Sequence, residues 1–238
     1  MLETLNLHKS FGGVQVIDDL SISVSQGEAL GIVGPNGAGK TTWFNLITGA
    51  VTPDSGKVIF NGEDISRRSS HDRCRMGIGR TFQIPRPFVG MTVFENLLVG
   101  ATHGRGMGEH ASYDRCVEVL ELTGMTKKAN VLAGALPLLD RKRLELARAL
   151  ATDPKLLLLD EIAGGLTEAE VEELLVDING YRKLGITIVW IEHIVRALLA
   201  VVDRIAVIHF GRNLCEGDPH EVMSSAEVQA CYMGGTPE

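Results

Sequence analysis

Along this chain the spacing of apolar residues changes several times, and each change marks off a stretch of different character. From Leu2 to Leu7 and from Val16 to Val24, apolar residues alternate with polar ones or cluster briefly, the pattern of β-strands. Ala29-Leu30-Gly31-Ile32-Val33 is a short apolar run suited to a buried strand, and Thr42 to Ile47 behind it reads as a helix with an apolar face. Lys57-Val58-Ile59-Phe60 before Asn61-Gly62 is a strand reaching a turn. Between about Thr92 and Ala151 the spacing turns helical: Thr92 to Val99, Tyr113 to Leu122 and Arg141 to Ala151 are predicted helices, with Gly104 to Gly108 as the loop between the first two. Then come strand Leu156 to Leu159, helix Glu168 to Leu184, strand Ile186 to Ile191, helix Ile194 to Val201 and strand Arg204 to Ile208. Alternation of that kind implies a parallel sheet with helices packed on it.

Composition narrows the setting. With 238 residues, 45% of them hydrophobic, the chain can bury one substantial core, and a single domain over residues 1–238 is expected. The apolar runs, such as Ala197 to Val202, fall far short of the roughly 18 residues that cross a bilayer. Met1-Leu2-Glu3-Thr4-Leu5-Asn6 lacks the charged and apolar regions of a secretion signal, so a cytosolic location is expected. Cys74, Cys116, Cys215 and Cys231 form no C-x-x-C pair, which argues for reduced thiols and against zinc. The formal charge of −7 argues against non-specific adhesion to nucleic acid. Six arginines (Arg67, Arg68, Arg73, Arg75, Arg80, Arg86) against the single acid Asp72 read either as a solvated surface with one or two ion pairs or as a docking face for a partner.

Candidate chemistry concentrates at Gly34-Pro35-Asn36-Gly37-Ala38-Gly39-Lys40-Thr41, which fits the P-loop pattern G-x-x-x-x-G-K-[ST] between a strand and a helix. A glycine-rich turn points successive N–H groups into one concavity, and the helix behind it adds its positive end, so a nucleoside triphosphate is the expected ligand. Lys40 is placed to reach the β- and γ-phosphates and Thr41 to ligate Mg²⁺, with Thr42 continuing the loop into the helix. Gly37 and Gly39 leave room for close backbone approach. About 120 residues on, Leu156 to Leu159 runs into Asp160-Glu161, an apolar strand ending in two acids. Asp160 is placed to hold Mg²⁺ and Glu161 to polarise the attacking water.

With these two elements the chain resembles the ATP-binding subunit of an ABC transporter over nearly its whole length. The resemblance implies an α/β fold: a RecA-like P-loop NTPase core with an antiparallel β-lobe and an inserted α-helical lobe at about residues 84–152. It implies that Gln83, in Arg80-Thr81-Phe82-Gln83, is the glutamine that touches Mg²⁺ and the water. It further implies that His193, after Trp190-Ile191-Glu192, contacts the γ-phosphate, and that Phe11 stacks on adenine. The spacing of Asp203-Arg204, Gly211, Gly217 and Pro219 resembles the closing strands of the family. Implied cofactors are ATP and Mg²⁺. Implied partners are membrane permease subunits, a second ATP-binding subunit of the same or a different chain in a nucleotide-sandwich dimer, and an outer solute-binding protein, with the chain peripheral on the inner face of the membrane and without nucleic acid. Thr81-Phe82-Gln83 to Asn96, Glu161 to Leu166, and Trp190 to His193 look most like importers of branched-chain or other hydrophobic amino acids.

The departures from the family pattern are specific. Its L-S-G-G-Q signature, which caps the γ-phosphate held by the other subunit, aligns with Leu136-Pro137-Leu138-Leu139-Asp140, of which only the first letter matches. Pro137 has neither hydroxyl nor N–H but is tolerated at the first turn of a helix. Leu138 and Leu139 keep their amides, and Asp140 is expected to bring a carboxylate near the phosphate. Either the backbone amides suffice or activation in trans is impaired, and an impaired cassette would pair with an intact one. Thr167 with Glu170 stands where the family commonly has an aspartate and makes a capping box, while the acids that follow and Arg182-Lys183 at the far end complement the helix dipole. Ile162 replaces a proline with little expected consequence. A non-transport ABC ATPase acting on nucleic acid or ribosomes would usually carry two cassettes and a basic linker. A P-loop GTPase would need an Asn-Lys-x-Asp base reader, which Asn61-Gly62-Glu63-Asp64 is not.

Overall fold

The computed structural model describes residues 1–104, 106 and 108–233; Arg105 and Met107, inside the predicted Gly104 to Gly108 loop, lie outside the described residues. In chain order the elements are β1 (Leu2–Phe11), β2 (Val14–Val24), β3 (Ala29–Val33), α1 (Lys40–Thr48), β4 (Ser55–Phe60) and β5 (Glu63–Asp64). They continue with α2 (Ser70–Met76), β6 (Ile78–Arg80), α3 (Val93–His103), α4 (Glu109–Leu122), α5 (Leu138–Ala151), β7 (Leu156–Asp160) and α6 (Glu168–Lys183). The chain closes through β8 (Thr187–Ile191), α7 (Val195–Leu199), β9 (Arg204–His209), β10 (Arg212–Gly217), α8 (Pro219–Ser224) and α9 (Ala226–Met233). Two compact units result, Met1–Ser70 with Thr187–Glu238, and His71–Ile186.

The first unit holds an antiparallel sheet of order β2-β1-β4-β5. Leu2, Thr4 and Leu7 of β1 are buried and Glu3 and Leu5 are not. The period of two breaks because Thr4 faces Ile22 but Leu7 faces Leu20, leaving one extra residue at Asn6, whose φ is +46°. That bulge turns Leu7 inward. Asn61 and Gly62, both with positive φ, close the β4–β5 hairpin as the primed turn that Asn-Gly favours. In the same unit β3 pairs in parallel with β8 and β9, and β10 adds antiparallel to β9. Every residue of β3 and β8 is buried, which is why both are apolar throughout except for Thr187 at the start of β8.

In the second unit β6 and β7 pair in parallel, and α3 packs on α4 and α5. Thr92 and Glu95 form a capping box on α3, and Thr167 and Glu170 form the expected one on α6. The helix predicted to start at Arg141 begins at Leu138, with Pro137 at the N-cap, so that the odd signature segment is the first turn of α5. The predicted helix from Ile194 is shorter, Val195–Leu199. Short α2 and β6 were not predicted, because three to seven residues carry too little periodicity, whereas β10 lies within the Gly211 to Gly217 spacing expected of a closing strand.

Candidate functional site

In the first unit, β3 delivers the chain into the phosphate loop and α1 leaves it. Gly34 has φ +148° and no room for a side chain: a Cβ there would lie 2.0 Å from the Ile208 carbonyl oxygen. A Cβ on Gly39 would meet Ile17 Cδ1 at 2.8 Å and the Val16 oxygen at 2.9 Å, so the close approach it permits is to β2. Gly37, at φ +79°, has open space around it. Gly39, at φ +106°, is the N-cap of α1 and, having no side chain, makes no side-chain cap on that first turn. Lys40 is buried, and its ammonium donates to the Gly34 and Pro35 carbonyls at 2.7 and 2.9 Å. Ala38 and Gly39 are buried with it, Asn36, Gly37 and Thr41 are exposed, and Thr42 is half-buried. Buried Trp43 anchors the helix, donating from Nε1 to the Thr4 hydroxyl at 3.3 Å.

Phe11 ends β1 with 47% exposure and the Lys9 ammonium 5.5 Å from its ring centre, leaving ring surface open to solvent. His193 is exposed, and the buried Glu192 beside it accepts from the His193 N–H at 2.9 Å, which turns the backbone after β8. The Gly34 N–H donates to the Tyr232 hydroxyl at 2.9 Å, a tie from α9 that no sequence signal announced.

In the second unit, β7 ends on Asp160, whose buried carboxylate accepts from Arg80 Nη2 at 2.8 Å. Glu161 follows with φ +46°, a left-handed conformation unusual outside glycine. That turn puts its carboxylate within 2.5 Å of Gln83 Nε2, so the predicted glutamine and the predicted base are in direct contact. Thr81 links β6 to β7 through its N–H to the Leu158 oxygen at 2.9 Å. The ammonium of Lys142 donates to the Gln83 carbonyl at 3.0 Å and reaches that of Glu161 at 3.4 Å.

One expectation is corrected. Asp140 does not offer its carboxylate to an anion: it is buried and paired with the Lys128 ammonium at 2.5 Å, because the first turn of α5 rotates it inward. Leu138 is exposed, Leu139 half-buried, and no side chain caps this helix start. The arginine-rich stretch has the one or two ion pairs expected of a mostly solvated surface, Arg68 on Glu63 and Arg80 on Asp160, while Arg67, Arg75 and Arg86 are exposed and Arg73 is buried. A charge run gives no sign of which member turns inward to meet an acid 80 residues away. Among the described residues no cluster of three or more His, Cys, Asp or Glu could hold a metal, and no helix is long and apolar enough to cross a membrane.

The pattern of the ABC transporter family matches residues 17–164. The lipopolysaccharide export system ATP-binding protein LptB of Haemophilus influenzae is 35% identical, with 98% of this chain and 97% of that protein covered. The high-affinity branched-chain amino acid transport ATP-binding protein BraF of Pseudomonas aeruginosa is 34% identical, with 98% of both covered. Among solved structures, an ATP-binding cassette of an ABC transporter in its ADP conformation superposes with a TM-score of 0.91 at 32% identity over 98% of both chains. The fold is thus that of the ABC cassette, a mixed α/β P-loop NTPase with an antiparallel sheet and a helical lobe.

Proposed function

The chain belongs to the ABC transporter family as an ATP-binding cassette and is an ATPase, and from that premise we propose that it hydrolyses Mg-ATP to drive import of branched-chain or other hydrophobic amino acids through a partner permease. The observation that carries the hydrolytic part is the Gln83–Glu161 contact at 2.5 Å, which holds a carboxylate at the end of β7 where a water can be polarised. Lys40 and the loop from Gly34 to Thr42, with the amides of Gly37 to Thr42 as donors, bind the phosphates, Phe11 stacks on the base, and His193 meets the γ-phosphate. Thr41, Gln83 and Asp160 offer hydroxyl, amide and carboxylate oxygens, the hard donors that Mg²⁺ takes, so the donor set fits that ion. When bound, Mg²⁺ neutralises charge building on the β- and γ-phosphates.

Since Asp140 is paired with Lys128, the amides of Leu138 and Leu139 are free of a competing carboxylate, which favours a hydrolytically competent signature segment over an impaired one. The chain works at the inner membrane face in a nucleotide-sandwich dimer with a second cassette, served by an outer solute-binding protein. Similarity to BraF, and to a probable branched-chain amino acid transport ATP-binding protein LivG of Archaeoglobus fulgidus at 34% identity, supports the amino-acid reading. Similarity to LptB supports a second reading, export of a lipid-linked saccharide.

Reconstitution with its permease in vesicles separates the two. ATP-dependent uptake of labelled leucine is expected; ATP turnover without uptake, together with lipopolysaccharide extraction, would establish the export reading instead. In the same system Glu161→Gln is expected to abolish turnover while retaining ATP, and Lys40→Ala to lose ATP binding. Unchanged turnover in Glu161→Gln sinks the base assignment.

A further inference from the structure

One face of α5 is occupied by charged side chains that the reaction does not account for. Lys142 and Glu145 are each only 4% exposed, and Arg148 stands one turn further on. Spaced at i, i+3 and i+6, the three share a stripe of the helix. Burying an ammonium and a carboxylate is costly unless each finds partners, so the partners they hold are informative.

All three reach the backbone of one loop. Lys142 Nζ donates to the Gln83 carbonyl at 3.0 Å. The Glu145 carboxylate accepts from the Arg86 N–H at 3.1 Å and from the Phe82 N–H. Arg148 Nη1 donates to the Arg86 carbonyl at 2.6 Å, and its guanidinium lies 5.0 Å from the ring centre of Phe88. The loop from Phe82 to Phe88 has no regular secondary structure and exposes Phe82, Ile84 and Phe88. A segment of that kind lacks a ladder of its own to satisfy its amides and carbonyls. Here the helix supplies it.

We propose that Lys142 and Glu145 are positioning residues for the ATPase reaction: they grip the loop backbone on both sides of Gln83 so that its carboxamide lands on the Glu161 carboxylate. Lys142 holds the Gln83 carbonyl and also reaches the Glu161 carbonyl at 3.4 Å, so one buried cation spans the two residues whose side chains must meet at 2.5 Å. Glu161 sits at a φ of +46°, a conformation that persists only where surroundings enforce it, and Lys142 is one of the groups that does so. Because the grip comes from α5, whose first turn is the signature segment Leu138 to Asp140, any displacement of that turn is passed to Gln83 through side chains rather than through a flexible loop.

The inference rests on Gln83 and Glu161 acting as proposed above, and a double-mutant cycle on the full chain separates the two levels. Lys142→Met keeps the length and apolar stem while removing the donor, and Lys142→Arg restores a cation. Lys142→Met is expected to lower kcat for ATP about tenfold or more with KM unchanged, the scale of a sub-ångström misplacement of a reacting group, and Lys142→Arg to recover most of it. In a Gln83→Ala background the Lys142→Met loss should shrink severalfold, since the lysine's shorter bond is to that glutamine's carbonyl and only the longer one reaches Glu161. Equal losses with and without Gln83, or a rise in KM in place of a fall in kcat, would overturn the positioning role. Should Gln83→Ala alone leave kcat intact, it is the assignment of Gln83 that fails. If Lys142→Met does not fold, the same cycle run with Glu145→Gln decides.

Discussion

The Asp140 carboxylate and the Lys128 ammonium meet at 2.5 Å, the acid almost wholly buried and the lysine nearly half in water. The pair fixes the first turn of α5 from the segment before it and keeps a negative charge out of the signature surface. Lys128→Met strands the acid, and a loss of about 1–3 kcal/mol in urea unfolding is expected, below the cost of breaking a fully buried pair because water reaches the lysine. Asp140→Asn added to Lys128→Met should recover most of it. Strict additivity of the two substitutions would show that the pair contributes nothing.

Arg80 and Asp160 are the better-buried pair, with side-chain exposures of 10% and 5% at 2.8 Å. Arg80→Met is expected to destabilise the nucleotide-free chain by about 3–5 kcal/mol, leaving Asp160 short of its countercharge. Mg-ATP should then raise the melting temperature more in this variant than in the parent, because a bound cation serves the same carboxylate. A smaller ligand-induced shift in the variant counts against that.

The glycines of the phosphate loop should not respond alike. Gly34→Ala drives a methyl to 2.0 Å from a carbonyl oxygen of β9, so loss of the fold of the loop and of nucleotide binding together is expected. Gly37→Ala meets nothing within 4 Å and suffers only its left-handed φ, about 1–2 kcal/mol. Denaturant unfolding paired with fluorescent-nucleotide binding distinguishes them, and equal stability losses would contradict the geometry.

Alkaline pH should weaken the fold in a way that one thiol helps to set. Burial pushes Cys116 from its ordinary 9.0 up to about 11. The folded state therefore keeps a proton that the unfolded state has lost, and stability present below pH 9.0 drains away as pH rises toward about 11. Burial raises Cys74, Cys215 and Cys231 in the same direction. Cys116→Ala is expected to flatten part of the decline in stability between those pH values, measured by unfolding at constant ionic strength. An unaltered alkaline slope refutes the assignment.

How much could be read beforehand depended on how local the cause was. The Thr167–Glu170 capping box was visible in four letters because its bonds span three residues. The apolar strands β3, β7 and β8 were visible because burial on both faces needs a nearly unbroken run. Adjacency to the signature suggests an exposed carboxylate at Asp140, while its orientation depends on the first turn of α5 and on Lys128, 12 residues earlier. Lys142 and Tyr232 left no trace in pattern or motif, and Arg80 stood only as one member of a charge run, since each acts on a backbone or carboxylate atom between 19 and 198 residues away.

The amino-acid sequence by itself determined the chemistry on offer: a glycine loop that can turn amides toward an anion, a lysine and threonine behind it, two acids at the end of an apolar strand, and the period of nearly every long element. These are properties of backbone freedom, side-chain type and short-range spacing. Tertiary structure decided which charges are usable, because burial makes every ionised group find a partner. It matched Asp160 with Arg80, drew Asp140 onto Lys128, and set the Lys142 ammonium against the Gln83 and Glu161 carbonyls.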